Sequence, residues 1–195
     1  MERPLYLCSQ SPRRAMLLEQ LGIAYQTVEA PIEETALPNE SPESFVVRMA
    51  VEKALSGFNK LAGRQIWVLG SDTIVLKRKT VFGKPKSEYE GSQMLAALSG
   101  CHHQVLSAVA IVHDGQVFSE MSTTQVWFRD LSETEIADYL ATGEPMGKAG
   151  AYAIQGLGAK FIEKIEGSYS GVMGLPLFEL DQCLAASNYY TDLTI

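Results

Sequence analysis

Ser9-Gln10-Ser11-Pro12-Arg13-Arg14 puts two adjacent guanidinium groups in the first turn of a helix that begins where a strand ends. Open N–H groups and partial positive charge at a helix start suit phosphate, and the arginines add paired donors. Cations there oppose the helix dipole, so either an anion compensates them or they pair with surface carboxylates in a solvated turn. Asp72 interrupts the apolar run 66–76. A carboxylate in such a strand requires hydrogen bonds, a cation or a raised pKa, which are also the conditions for a general base; the other reading is an internal salt bridge or a turn. Lys53 falls on the helical arc defined by Phe45, Val46, Met49 and Ala50, so its ammonium either snorkels to water or meets a carboxylate or a ligand phosphate.

Three further segments carry possible chemistry. In Gly83-Lys84-Pro85 the proline pushes Lys84 toward extended backbone, where it presents one fixed charge to phosphate or to solvent. Glu33 and Glu34, in the acid-rich stretch 30–44, are either solvated or oxygen ligands for a hard divalent cation. The small residues around Gln155, from Lys148 to Gly158, permit close backbone approach to a ligand, and the carboxamide matches the imide edge of uracil or thymine. A tight connection between strands explains the same composition, and neither GxGxxG nor a Walker A loop is present.

The elements that must hold these residues follow from periodicity and caps. Strands are expected at 5–9, 25–29, 66–76, 104–112, Gln116–Phe128 and 161–165. Helices are expected from Pro12 to a stop at Gly22, over Pro42–Leu61 behind Ser41, and from near Pro176. Ser87 with Glu90 and Ser132 with Glu135 have capping-box spacing, for helices ending near Gly100 and Gly143. Asp114-Gly115 predicts a hairpin, and Gly70 a bend that aims Asp72 into a cleft. Together these make a mixed sheet with flanking helices.

The chain has 195 residues, 46% hydrophobic and 20% charged, so a single domain over 1–195 with a real core is expected. Net charge is −7 and the pI is about 5.0, which argues against duplex nucleic acid or a membrane surface as partner. No apolar run reaches the roughly 20 residues of a bilayer span. Cys8, Cys101 and Cys183 are isolated, and His102, His103 and His113 lack metal-site spacing and are expected at strand edges. The first residues lead directly into a strand-like segment without an export signal, so a reducing cytoplasm is the expected location.

In order along the chain, Leu7-Cys8-Ser9-Gln10-Ser11-Pro12-Arg13-Arg14, Glu33-Glu34, Lys53, Gly70-Ser71-Asp72-Thr73, Gly83-Lys84-Pro85 and Gly150-Ala151-Tyr152-Ala153-Ile154-Gln155-Gly156 resemble the Maf family of nucleotide pyrophosphatases. The resemblance implies an α/β fold on a long twisted mixed sheet, with two lobes around a central cleft, akin to inosine-triphosphate pyrophosphatases. It implies that Asp72 is the proton acceptor, and that Ser9, Arg13, Arg14, Glu34, Lys53 and Lys84 fall on positions associated with activity. Arg13, Thr73 and Gln155 fall on positions associated with substrate choice. Ser-Pro-Arg-Arg with a glutamine in the glycine-rich segment matches the dTTP/UTP subgroup, whereas the 7-methyl-GTP subgroup has tryptophan in place of Arg13. Cys8 and Ser71 replace common alanines, and Ala153 a glycine.

The activity so implied is hydrolysis of dTTP, UTP and modified pyrimidine triphosphates at the α-phosphorus, giving a nucleoside monophosphate and pyrophosphate. A divalent cation, Mg²⁺ or Mn²⁺, is expected on Glu34 and Asp72, and a homodimer is implied. The rival readings are a nucleotide-binding regulator of cell division without catalysis, and a phosphomonoesterase.

Overall fold

The computed structural model describes residues 5–62 and 65–190. In chain order its elements are β1 (Leu5–Leu7), α1 (Pro12–Gln20), β2 (Tyr25–Thr27), α2 (Pro42–Leu61), β3 (Trp67–Lys77), β4 (Thr80–Phe82) and α3 (Glu88–Leu98). There follow β5 (His102–His113), β6 (Gln116–Phe128), α4 (Glu133–Ala141), β7 (Ile162–Glu166), α5 (Tyr169–Met173) and α6 (Leu177–Ala186). The seven strands form a mixed sheet in the order β2-β1-β3-β5-β6-β7, with β4 paired to β3, and helices flank it. By chain contacts the molecule divides into two compact units. The first comprises the chain up to Asp72, Ser107–Ser122 and the chain from Gly174 onward; the second comprises Thr73–Leu106 and Thr123–Met173.

In the first unit β1 lies parallel between β2 and β3, with Leu5 opposite both Tyr25 and Trp67. Parallel neighbours need crossovers, and α1 and α2 provide them. Helix α2 starts where the Ser41 hydroxyl accepts from Ser44 N at 3.1 Å, and ends with Ala62 in the left-handed region. Its buried residues are Val46, Met49, Ala50, Ala54 and Gly57. Gly70 does not bend β3, which runs on to Lys77. Its missing side chain instead admits α2: a Cβ on Gly70 would lie 2.2 Å from Ala50 O and 2.6 Å from Ala54 N. The hairpin turn is as expected, with Asp114 and Gly115 at φ 46° and 78°, the two positive angles of a type I′ turn. At α1, Pro12 is in the first turn, but the Ser11 hydroxyl makes no capping bond.

In the second unit β3 pairs antiparallel with β4 and β6 with β7, and Leu95, Leu98, Val126, Tyr139 and Phe161 form part of one buried cluster. Ser132 and Glu135 make a complete capping box on α4. On α3 only half forms: Ser87 Oγ accepts from Glu90 N at 3.2 Å, while the Glu90 carboxylate turns to Lys86 N at 2.7 Å. Strand β4 and helix α5 are absent from the sequence expectations because three and five residues are too few to display a period. Strand β7 starts one residue after the expected Phe161, whose side chain is fully buried at the end of a 3-10 turn.

His102 and His113 begin and end β5, but the strand-edge expectation fails for His103, which is 1% exposed. Its ring meets Phe128 and Tyr152 edge-on; Nε2 lies 2.9 Å from Tyr152 Oη, and Nδ1 has no hydrogen-bond partner among the described residues. Burial, with smaller contributions from Lys77 and His102, pushes its pKa down to about 3. An unfolded histidine takes its proton near pH 6.5. Between about 3 and 6.5 the unfolded chain therefore binds more protons than the folded one, and stability rises with pH across that window. A His103→Phe variant should show a flatter dependence of melting temperature on pH there; an unchanged slope would mean that the ring does not stay neutral when folded.

Candidate active site

The first unit assembles its polar centre from four separate stretches of chain. Lys53, on the inner side of α2, donates from Nζ to Asp72 Oδ1 at 2.7 Å and pairs with Glu34 Oε1 at the same distance. The Lys53 and Asp72 side chains are each 12% exposed, whereas that of Glu34 is 48% exposed. The helical-wheel position of Lys53 thus resolves in favour of a carboxylate partner. Asp72 lies within β3, and its need for a cation is met by that ammonium.

Arg14 completes the group. Its Nη1 donates to Ser9 Oγ at 3.0 Å and its Nε to Gly174 O at 2.7 Å. Ser9 Oγ also accepts from Ser11 N at 3.2 Å, which fixes the turn between β1 and α1. Desolvation lowers the Arg14 pKa, the charges of Asp72 and Glu34 oppose that shift, and Arg13 adds to it, so all four groups share one local field. Burial likewise lowers the pKa of the half-buried Arg13. The guanidiniums of Arg13 and Arg14 and the Lys53 ammonium thus share one local field with Asp72 and Glu34, a concentration of cations suited to a polyanion despite the acidic chain as a whole.

Two supporting contacts were not legible beforehand. Ser71 Oγ donates to the same Gly174 carbonyl at 3.0 Å, so the residue preceding Asp72 and the guanidinium of Arg14 share one acceptor. Arg48 ties the acid-rich stretch to α2: it grips Glu40 through Nε and Nη2 at 2.6 and 2.7 Å, and also bonds Glu52 and Thr35 O. The double contact draws the Glu40 pKa down to about 2. Glu34 therefore projects from an anchored loop. The signal in the sequence was an arginine five residues before Lys53, on the helix behind an acidic loop.

Among the described residues no group of three or more His, Cys, Asp or Glu side chains could hold a metal ion. Glu34 and Asp72 nonetheless converge on one cation position, that of Lys53 Nζ. Lys53 takes one oxygen of each carboxylate, and magnesium commonly uses one or two carboxylates and completes its shell with water and substrate phosphate, so the two groups suit an ion held beside the ammonium that arrives with a phosphate ligand.

Thr73, Lys84 and Gln155 belong to the second unit. Thr73 follows Asp72 on β3 and is half-buried. Lys84 is exposed between two fixed neighbours: Gly83 O accepts from Gly150 N at 3.1 Å, and Pro85 is buried. Gln155 is exposed in a turn closed by Gly156 N to Ala153 O at 3.2 Å. The glycines of this segment serve close packing, since a Cβ on Gly150 would lie 2.9 Å from Val75 Cγ2 and one on Gly158 2.7 Å from Tyr139 Oη.

The family model described as Maf-like protein matches residues 4–187. The chain is 62% identical over 192 residues to a protein of Hydrogenovibrio crunogenus named dTTP/UTP pyrophosphatase, covering 98% of this chain and 100% of the relative. A protein of the same name from Alkalilimnicola ehrlichii is 47% identical over 184 residues, covering 92% of this chain and 91% of its own. One from Escherichia coli O157:H7 is also 47% identical, covering 94% and 93%. A solved nucleoside-triphosphatase / dITP/XTP pyrophosphatase from Mycobacterium abscessus is 15% identical, with a TM-score of 0.45 over 98% of each chain.

Proposed function

The chain belongs to the Maf family, and on that premise we propose that it hydrolyses dTTP and UTP, and modified pyrimidine triphosphates, to the nucleoside monophosphate and pyrophosphate. The observation that carries this reading is a carboxylate, Asp72, locked to Lys53, which also holds Glu34, and set in the field of Arg14. Arg13, Arg14 and Lys53 bind the phosphate chain electrostatically, with Ser9 orienting Arg14. In the second unit Lys84 is a further cation for phosphate, and Thr73 and Gln155 are the residues for base selection. Gln155 accepts from the imide N3–H and donates to the neighbouring carbonyl.

Lys53 donates to Oδ1 of Asp72 and so fixes the carboxylate that takes the water proton. The water oxygen bonds to the α-phosphorus, the bond from that phosphorus to the bridging oxygen breaks, and pyrophosphate leaves with the bonding pair. Glu34 and Asp72 would hold the divalent ion, which when bound neutralises phosphate oxygens. The chain's own contribution is the position of the base and the preorganised positive charge.

No described helix is long and apolar enough to cross a membrane; cytoplasmic location and a homodimer complete the proposal, with nucleic acid excluded as substrate. The test is product identification after incubation with dTTP or UTP and Mg²⁺. Monophosphate and pyrophosphate in equal amounts are expected. Orthophosphate as first product would indicate a phosphomonoesterase, and nucleotide binding without turnover a regulator.

A further inference from the structure

Inside the second unit one carboxylate, Glu144, collects three donors. Tyr139 Oη donates to Oε1 at 2.7 Å, Gly158 N to Oε1 at 3.0 Å, and Leu157 N to Oε2 at 3.0 Å. Tyr139 Oη also accepts from Ala153 N at 3.1 Å. The Tyr139–Glu144 pair therefore grips the chain on both sides of Gln155, at Ala153 before it and at Leu157 and Gly158 after it. The anchor is interior, since Tyr139 is 1% exposed and Ala153 4%, whereas Gln155 between them is exposed. Gly156 lets the carboxylate lie flat on the turn: a Cβ there would be 2.3 Å from Glu144 Oε2. Desolvation raises the Glu144 pKa, but the hydrogen bonds from Leu157 N, Tyr139 and Gly158 N outweigh it and leave the pKa below normal, so the acceptor is ionised at neutral pH.

A carboxamide reads uracil only in one orientation. Its oxygen must face the imide N–H and its nitrogen the carbonyl; turned over, the same group fits cytosine. That orientation is a rotation of the terminal amide, but the distance at which the amide meets the base edge is set by the turn that carries it, so loss of the turn weakens the paired bonds to uracil and with them the discrimination against cytosine. We propose that Glu144, together with Tyr139, is a positioning residue for base selection, holding the turn that presents Gln155. The inference rests on the reading of Gln155 as the residue that contacts the base.

The experiment compares wild type, Gln155→Ala, Glu144→Gln and Tyr139→Phe in steady-state hydrolysis of dTTP, UTP and CTP, with circular dichroism and thermal melting to confirm the fold. Glu144→Gln puts an amide nitrogen among three donors, and Tyr139→Phe deletes the bridging hydroxyl while keeping the ring. Expected for both is a rise of about tenfold in KM for dTTP with kcat changed by less than about threefold, and a loss of about tenfold in preference for UTP over CTP, the scale of one or two lost oriented hydrogen bonds. If Gln155→Ala loses that preference while folded Glu144→Gln or Tyr139→Phe keeps it, the positioning role is overturned and the base-reading role of Gln155 stands. If Gln155→Ala itself keeps the preference, the reading beneath the inference fails. A fall in kcat alone, with KM and preference unmoved, would also overturn the proposal. Should Glu144→Gln not fold, Tyr139→Phe alone decides, because its cavity is a single hydroxyl.

Discussion

Asp72→Asn should lower kcat for dTTP by about 10²- to 10⁴-fold, the usual contribution of a positioned general base, while the dissociation constant for the nucleotide stays within about threefold. Asparagine keeps the volume of the side chain and an oxygen for the bond from Lys53 Nζ, now 2.7 Å long. What it loses is the capacity to take a proton. On the proposed reading the phosphates are bound by Arg13, Arg14 and Lys53, none of which the substitution removes, and with no divalent ion present the deletion of one negative charge favours a polyanion if it acts at all. Single-turnover hydrolysis and equilibrium binding, measured on the same purified variant, separate the two quantities. Turnover near the wild-type rate would eliminate Asp72 as the base, and an equal loss of affinity would make its role one of binding.

Gly70→Ala should cost about 3 kcal/mol or more, beyond the usual range for one added methyl group. The added carbon would lie 2.2 Å from a backbone oxygen of α2, 2.6 Å from a backbone nitrogen and 3.0 Å from Ala54 Cβ. None of these is the end of a flexible side chain, so the helix itself must move. For a chain of this size each kcal/mol lowers the melting temperature by about 2–4 °C, which gives a fall of about 6–12 °C. Helix α2 also carries Lys53, so the ion pair with Asp72 and hence turnover should fail with it. Gly83→Ala is the control: nothing lies within 4 Å of a Cβ there, and its melting temperature should stay near wild type. Equal melting of both variants would refute the close-approach account.

What could be read in advance was whatever a short stretch of chain encodes. The twenty residues of α2 display a period and a cap, and so placed Lys53 facing inward before any partner was visible. The apolar residues around Asp72 made β3 legible as a strand and its carboxylate as a group in need of a cation. That the cation is Lys53, nineteen positions earlier, required the fold. Contacts that end on backbone carbonyls were least legible. Arg14 finds Gly174 O across 160 positions and Ser71 finds it across 103, and a carbonyl acceptor imposes no residue type by which to recognise it. Glu144 was hidden for the converse reason, because its donors are mostly amides that every residue possesses. Gly70 was recognised as special but for the wrong cause: glycine in a strand marks either a bend or a close neighbour, and only the packed helix distinguishes them.

The shared acceptor at Gly174 bears on how the enzyme is born. During synthesis Ser9, Arg14, Glu34, Lys53 and Asp72 all leave the ribosome long before Gly174 does, so a nascent chain can hold every one of these side chains and still lack the carbonyl that seats the guanidinium. Vectorial translation thereby delays the seating of Arg14 until Gly174 emerges, and a polypeptide released before that point would lack the common anchor of Arg14 and Ser71.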